Sequence, residues 1–177
     1  MRAFTPPRTS GGDLLPERLE TGPDPHRDAA EPPRLELLRP IECLLTTKDF
    51  TLVERHLLEM PAAARRCDRL LLRLIRTKLA DARIVLSDDI APDVATGNSR
   101  LVYSVDDEPE RTGVLRHWEH EGDQPTAVQI RSLLGMTLIG MTTGQNAPLV
   151  REDGRIGHVR LLAVVFQPEA ARRALPG

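Results

Sequence analysis

The residue pattern with the clearest potential for chemistry is a pair of histidines in the segment His117-Trp118-Glu119-His120. Imidazole nitrogens are frequent metal ligands. The segment lies in a predicted strand, however, where successive side chains alternate between faces, so His117 and His120 are expected on opposite sides. The next histidine, His158, lies far along the chain, and no cysteine is near. We therefore predict no metal site, with both histidines at the surface and Trp118 in the core or at its rim.

Other signatures of catalysis are missing from the sequence. The chain has no G-x-x-x-x-G-K-S/T phosphate loop, which argues against a phosphotransfer enzyme. Its two cysteines, Cys43 and Cys67, are far apart and in no metal-like spacing, as expected of free thiols in a reducing compartment. Aromatic residues make up only 3% of the chain, too few to wall a pocket with stacked rings. We predict a protein without enzymatic activity or cofactor.

Overall charge and hydropathy bear on the partners and the location of the protein. The 177-residue chain has a formal net charge of -2, whereas a protein that binds nucleic acid through its bulk charge is usually basic. No apolar run approaches the roughly 18 residues needed to span a bilayer, and the N-terminus has no apolar segment of a signal peptide. We therefore expect a cytoplasmic protein that does not bind a membrane.

Residues 1–40 differ in composition from the rest of the chain. Eight of the fifteen prolines fall here, with six arginines against seven acidic residues and no sustained apolar period. Such a segment buries too little apolar surface to offset the entropy lost on ordering. We predict a disordered Pro-rich tail over residues 1–40, whose role is open, and a second short tail over residues 172–177.

Two amphipathic helices are predicted after the tail. The apolar run Ile41–Leu45 is expected to form a strand leading into the first helix, which Thr46-Thr47 would cap and Asp49 would stabilise in its first turn. Pro61 ends that helix, and a second helix follows over residues 63–84. The apolar face of the first helix consists of Phe50, Val53, Leu57 and Met60.

The second predicted helix has an apolar side and a basic side, which completes a helical hairpin within residues 41–86. The apolar side carries Cys67, Leu71, Leu74, Ile75, Leu79 and Ala82. The basic stripe carries Arg65, Arg69, Arg73 and Arg76, with Arg83 beyond it. The stripe could contact an acidic protein surface or nucleic acid. Alternatively, it is a solvated helix face, and we favour this second interpretation because a run of charged residues is usually solvated.

The remainder of the chain alternates like an antiparallel sheet. A linker over residues 87–98 is predicted to precede a sheet domain over residues 99–171. One short helix is expected over Ser132–Met141, bounded by glycines. The predicted strands are Leu101–Val105, Gly113–Glu119, Ala127–Arg131, Ala147–Arg151 and Ile156–Phe166, the last of them central because it is almost wholly apolar.

Three segments of the chain resemble a known family. They are Val94-Ala95-Thr96-Gly97-Asn98-Ser99-Arg100-Leu101-Val102, Arg131-Ser132-Leu133-Leu134-Gly135-Met136-Thr137-Leu138-Ile139-Gly140 and Phe166-Gln167-Pro168-Glu169-Ala170. In order and spacing they resemble the Rnk-type regulators of nucleoside diphosphate kinase, which belong with the GreA/GreB transcription factors. The resemblance covers residues 41–171.

The resemblance implies an α+β fold in which a short antiparallel helical hairpin, a coiled-coil arm, precedes an FKBP-like antiparallel sheet domain with one short helix. It implies a monomer that binds bacterial RNA polymerase near the secondary channel, meets DNA only through the polymerase and competes with Gre factors. Nucleoside diphosphate kinase would be regulated indirectly.

The predicted arm is too short and too poor in acid for the chemistry of transcript-cleavage factors. In the family, carboxylates at the arm tip help hold magnesium beside the polymerase active site, which needs hard oxygen ligands. Here the tip runs from Glu59 to Arg66, with one carboxylate and two arginines. A first helix of about 13 residues spans only about 20 Å. We therefore predict that the protein does not stimulate transcript cleavage.

The resemblance makes Ser132, Leu133, Leu134 and Gly135 the candidate polymerase-binding element. Ser132 matches the family pattern, but Arg131 stands where the pattern has an acid, and Leu133 replaces a proline. A purely structural role is the alternative, in which Ser132 caps the short helix and the glycines form tight turns.

Two other functions are open at this point. The same sheet domain could bind a different cytoplasmic protein. An FKBP-like fold also raises peptidyl-prolyl isomerase activity, but that site needs a ring-lined pocket, and a fold alone does not confer an activity. The domain offers only Tyr103, Trp118 and Phe166 as rings.

Overall fold

The computed structural model describes residues 42–60, 65–106, 108–118 and 126–175. The predicted tail over residues 1–40 lies outside the described residues, as do His120 and the predicted tip residues 61–64. The helices are α1 Thr47–Leu58, α2 Arg66–Asp81, α3 Leu133–Leu138 and α4 Pro168–Arg173. The strands are β1 Leu44–Thr46, β2 Arg83–Val85, β3 Arg100–Val105, β4 Arg111–Arg116, β5 Ala127–Gln129, β6 Asn146–Val150 and β7 Ile156–Phe166.

Helix α1 begins at the predicted cap. The hydroxyl of Thr46 accepts a hydrogen bond of 3.0 Å from the backbone N–H of Asp49, which satisfies one of the free donors of the first turn. Val53 is fully buried on the apolar face of α1, and Leu71 and Ile75 are buried on the apolar face of α2. The two helices pack against each other through these faces.

The second helix is shorter than predicted, because the chain forms a strand where the last helical turn was expected. Helix α2 ends at Asp81, and β2 pairs in parallel with β1 in the register Leu44 with Arg83. The backbone N–H of Arg83 donates to the carbonyl of Cys43 over 2.9 Å. The β-branched residues Ile84 and Val85 favour a strand once a neighbouring strand offers hydrogen-bond partners.

The larger sheet has five strands in the order β5-β4-β3-β7-β6. Strand β7 lies between β3 and β6, as its apolar sequence predicts, and it begins and ends at the predicted residues. The prediction of a wholly antiparallel sheet is wrong at one edge, since β4 and β5 are parallel. A parallel pair needs a crossover connection, which alternation within each strand does not reveal.

Residues 87–98, predicted as a linker, are packed into the fold. Ile90, Val94 and Ala95 are buried. The side chain of Gln167, at the start of α4, donates to the carbonyl oxygens of Ala91 and Val94 over 2.7 and 2.8 Å. This segment therefore holds the helices and the sheet together rather than separating them, and α4 extends into the residues predicted as a tail.

The core lies between α3 and one face of the five-stranded sheet. Leu101, Leu115, Val159 and Leu161 of the sheet are buried in the same apolar cluster as Met136 of α3. Within the described ranges, no helix is long and apolar enough to cross a membrane.

Candidate functional site

A cleft of about 470 Å³ opens between the start of α3 and the end of the β6–β7 hairpin. Three residues of the predicted polymerase-binding element line one wall, and the hairpin forms the other. We call this the docking cleft, and its lining residues are Ser132, Leu133, Leu134, Leu149, Val150, Arg151, Glu152 and Asp153.

Ser132 shapes the α3 wall of the cleft. Its hydroxyl accepts from the backbone N–H of Gly135 over 3.0 Å and donates to the carbonyl of Gln129 over 2.7 Å. Ser132 is therefore the N-cap of α3, as the structural alternative predicts, and it also lines the cleft. Gly135 is buried, and a side chain there would overlap the carbonyl oxygen of Gln129. Gly135 thus allows α3 to lie against the end of β5 and does not line the cleft.

Arg151 on the hairpin wall is held by Asp106. Asp106 accepts from the backbone N–H of His158 over 2.8 Å and from the guanidinium of Arg151. These two donors, His158 first and Arg151 second, lower the pKa of the Asp106 carboxyl from its ordinary value. The ion pair is therefore present at neutral pH and fixes Arg151 at the cleft.

The remaining cleft residues of the hairpin are acidic. Glu152 and Asp153 are exposed in the β6–β7 turn, and the backbone N–H of Arg155 lowers the pKa of Asp153 through a 2.9 Å hydrogen bond. The cleft thus combines leucine and valine side chains with a partly acidic rim. Such a surface suits an apolar side chain of a partner that carries basic groups beside it. Arg151, Glu152 and Asp153 were missed as candidates, although the strands on either side of this turn were predicted.

The basic stripe lies on α2, outside the residues that line the cleft. Arg65, the N-cap of α2, is exposed, as are Arg69, Arg73 and Arg76 along the helix. Helix α2 packs on α3, and the ammonium of Lys78 donates to the carbonyl of Thr137 over 3.3 Å and to that of Ile139. Burial lowers the pKa of Lys78. This contact places the helix that carries the stripe next to the helix that begins at the cleft. The side chain of Arg66, at the start of α2, also lies against Gly154 in the β6–β7 turn.

A buried chain of three polar side chains was not predicted from the sequence. Nε2 of His117 lies 3.1 Å from Oδ1 of Asp49, and Nδ1 of His117 lies 3.1 Å from Nε2 of His56. All three residues are buried, with His56 fully covered. The prediction that His117 lies at the surface is therefore wrong. Asp49 and His56 are seven residues apart on one face of α1, but no sequence pattern near them indicates a contact with His117.

The Asp49 carboxylate accepts from three elements at once. The Thr46 hydroxyl donates over 2.9 Å, the backbone N–H of Gly97 over 3.2 Å, and His117 completes the set. A side chain at Gly97 would come within 2.7 Å of both Asp49 and His117, so only glycine fits. Trp118, predicted in the core or at its rim, is half-buried, and its ring lies 5.0 Å from that of His56.

The arrangement favours a neutral His56. Because the Asp49 carboxylate only accepts, Nε2 of His117 is the donor between them. His56 then donates from Nε2 to Nδ1 of His117, and Nδ1 of His56 is buried without a partner. A proton on that nitrogen would have no acceptor. Burial is the largest cause that lowers the pKa of His56 from 6.5 to about 4, and repulsion from a protonated His117 and from the Arg131 guanidinium follows.

The chain matches no protein-family model and no curated protein sequence. Among solved structures it is similar to the prokaryotic transcription elongation factor GreA/GreB from Nitrosomonas europaea, with a TM-score of 0.52 and 21% identity over 72% of this chain and 100% of that chain. The two proteins share a fold. GreA factor homolog 1 (Gfh1) of Thermus thermophilus matches with 17% identity over 70% of this chain and 98% of that chain, and its TM-score of 0.32 does not establish a shared fold.

We predict that His56 makes the stability of the fold depend on pH. The unfolded state binds a proton near pH 6.5 and the folded state only near pH 4, so the free energy of unfolding falls as the pH drops between these values. The loss between pH 7.5 and pH 5 is about 2 kcal/mol. Urea denaturation at a series of pH values measures it.

The variant His56→Gln keeps a donor for His117 and removes the titrating group, so its stability should fall much less over the same range. Thr51→Gln, at an exposed position of the same helix, is the matched control and should retain the pH dependence of the unchanged protein. The same pH dependence in the protein and in His56→Gln would show that His56 is not the group responsible.

Proposed function

We propose that this chain is a non-enzymatic bacterial transcription regulator that binds RNA polymerase near its secondary channel and competes there with Gre factors. In this proposal it is of the Rnk type, does not stimulate transcript cleavage and affects nucleoside diphosphate kinase only indirectly. The five-stranded sheet with α3 is the FKBP-like domain, and α1 with α2 is the short coiled-coil arm. The observation that carries the proposal is the docking cleft, which opens at the element predicted to bind polymerase.

The chemistry of the cleft supports a protein partner. Leu133 and Leu134 are half-buried beside Leu149 and Val150, and so present apolar surface that a partner side chain can cover. Fully burying a leucine-sized side chain contributes about 1.5–3 kcal/mol. Leu133 adds apolar surface where the family pattern has proline. Glu152 and Asp153 on the opposite wall favour a partner segment that also carries lysine or arginine.

The length and charge of the helices support a role that does not include catalysis at the polymerase active site. Helix α1 has 12 residues, a length of about 18 Å at about 1.5 Å per residue. Glu59, just beyond its end, lies 3.9 Å from Arg55 and is partly neutralised by it. Arg65 is the N-cap of the neighbouring helix and Arg66 is its first residue, and both side chains repel a metal ion. An arm with these features occupies the rim of a channel and delivers no magnesium ligands.

In this proposal the basic stripe makes a second contact with the polymerase, in addition to the cleft. Arg65, Arg73 and Arg76 are exposed on the side of α2 away from its packed apolar face. Arginine forms paired hydrogen bonds with carboxylates, so the stripe suits acidic side chains at the channel rim. Its contribution is secondary, because exposed ion pairs each contribute at most about 1 kcal/mol.

The first prediction from this proposal concerns competition. The protein should displace a fluorescently labelled Gre factor from core RNA polymerase, and Leu133→Asp should weaken that displacement about tenfold, since a charge then faces the apolar part of the partner. Leu175→Asp, at an exposed leucine beyond α4, is the matched control and should compete like the unchanged protein. Equal melting temperatures for the two variants ensure that folding is not the cause. Absence of displacement by the unchanged protein would refute the proposal.

The second prediction concerns transcript cleavage. Stalled elongation complexes mixed with this protein should show no more cleavage than polymerase alone, because the arm lacks paired carboxylates and length. A Gre factor added to the same complexes is the positive control. Cleavage that rises with the concentration of this protein would show that the arm does deliver a metal ion.

A further inference from the structure

The five-stranded sheet has a second face, opposite the core, which we call the outer face. Residues directly opposite each other on neighbouring strands point to the same side. The register therefore defines rows across this face. The first row consists of Ala127, Val114, Arg100 and Phe166, and the second of Thr112, Val102 and Ala163. The third row consists of Ser104, Arg160 and Asn146. Arg116 and Gln129 form a further pair on the other side of the first row.

The middle of the outer face is apolar and partly exposed. Val102, Val114 and Ala163 are half-buried, and Phe166 is 47% exposed. The inner-face residues of the same strands, such as Leu101 and Leu115, are almost completely buried. An apolar strip across three neighbouring strands is thus left at the surface, the kind of surface that marks an interaction site.

Arginines lie beside this strip. Arg100 is between Val114 and Phe166 in the first row, and Arg160 is in the third row. Arg100 and Arg160 are exposed and form no ion pair within the described part of the chain. Arg116 donates to the amide oxygen of Asn98 over 2.7 Å, which leaves its charge unneutralised. None of the positions in the rows holds an acidic residue. The outer face is therefore apolar along Val114, Val102 and Ala163 and positively charged beside them.

We propose that the outer face binds an acidic segment of a partner protein, one that carries aliphatic side chains between its carboxylates. The aliphatic groups cover Val102, Val114 and Ala163, and the carboxylates meet Arg100 and Arg160. A second copy of this chain is a poor occupant in a symmetric pair, because the same arginines would face each other. Sheets that bind single-stranded nucleic acid stack two or three bases on aromatic rings, and Phe166 is the one ring in these rows.

This surface is separate from the docking cleft and does not depend on the proposed function. The cleft lies between α3 and the end of the β6–β7 hairpin, whereas the strip runs across β4, β3 and β7. A protein with both surfaces can hold two partner segments at once, one basic and apolar, the other acidic and apolar.

The test uses the full chain and a synthetic peptide that alternates glutamate with valine. Fluorescence anisotropy of the labelled peptide measures binding, and NMR amide shifts locate it. We expect shifts at Val102, Val114 and Ala163. The variant Arg100→Glu/Arg160→Glu should bind the peptide about tenfold more weakly. Val102→Thr keeps the shape of the strand residue and should also weaken binding.

Two controls accompany this measurement. Lys48→Glu/Arg83→Glu reverses two exposed charges away from the outer face and should leave peptide binding unchanged. A peptide with lysine in place of glutamate should not bind. Binding weakened equally by both double variants, or amide shifts confined to the cleft or to α2, would overturn the proposal.

Three results would assign the outer face to another occupant. Tighter binding of an oligothymidine strand than of the acidic peptide would point to nucleic acid. Concentration-dependent dimers in sedimentation, abolished by Val102→Thr, would point to a second copy. Protection of outer-face amides from a soluble gadolinium chelate in the peptide-free protein would show that the chain itself covers the face. Each of these outcomes contradicts the proposed partner.

Discussion

The fold depends on the buried carboxylate of Asp49. Burying a charge is costly unless the group is hydrogen-bonded, and Asp49 meets this condition by accepting from Thr46, Gly97 and His117. These donors belong to the start of α1, to the segment between the helices and the sheet, and to the residue after β4. One side chain therefore holds three elements in place, and each of them loses a partner if Asp49 is removed.

This buried set fixes the position of the surfaces that can bind partners. Helix α1 is held against the sheet by Asp49 and His56, α2 packs on α1, and α2 in turn contacts α3 through Lys78. Helix α3 then presents Ser132 and Leu133 at the docking cleft. The position of the cleft relative to the basic stripe is thus fixed, because buried polar contacts, and not a flexible linker, connect the elements that carry them.

Features with a local cause were predictable from the sequence, and features with a distant cause were not. The cap at Thr46 and the bounds of β7 follow from residue types and apolar patterning within a few positions. Strand β2 was missed because its pairing partner, β1, lies before both helices. The burial of His117 was not predicted, because strand alternation does not reveal a contact with a carboxylate on a helix some seventy residues earlier. In the cleft, Ser132 and Leu133 came from a family resemblance, whereas Arg151 depends on its contact with Asp106, which no local pattern shows.

The proposed binding of RNA polymerase by the docking cleft can be examined with a cryo-electron microscopy structure of the protein bound to core polymerase. A polymerase segment near the secondary channel should lie in the cleft and cover Leu133, with α1 and α2 at the channel rim. A complex in which the cleft faces solvent and another surface contacts the polymerase would show that the cleft is not the binding site.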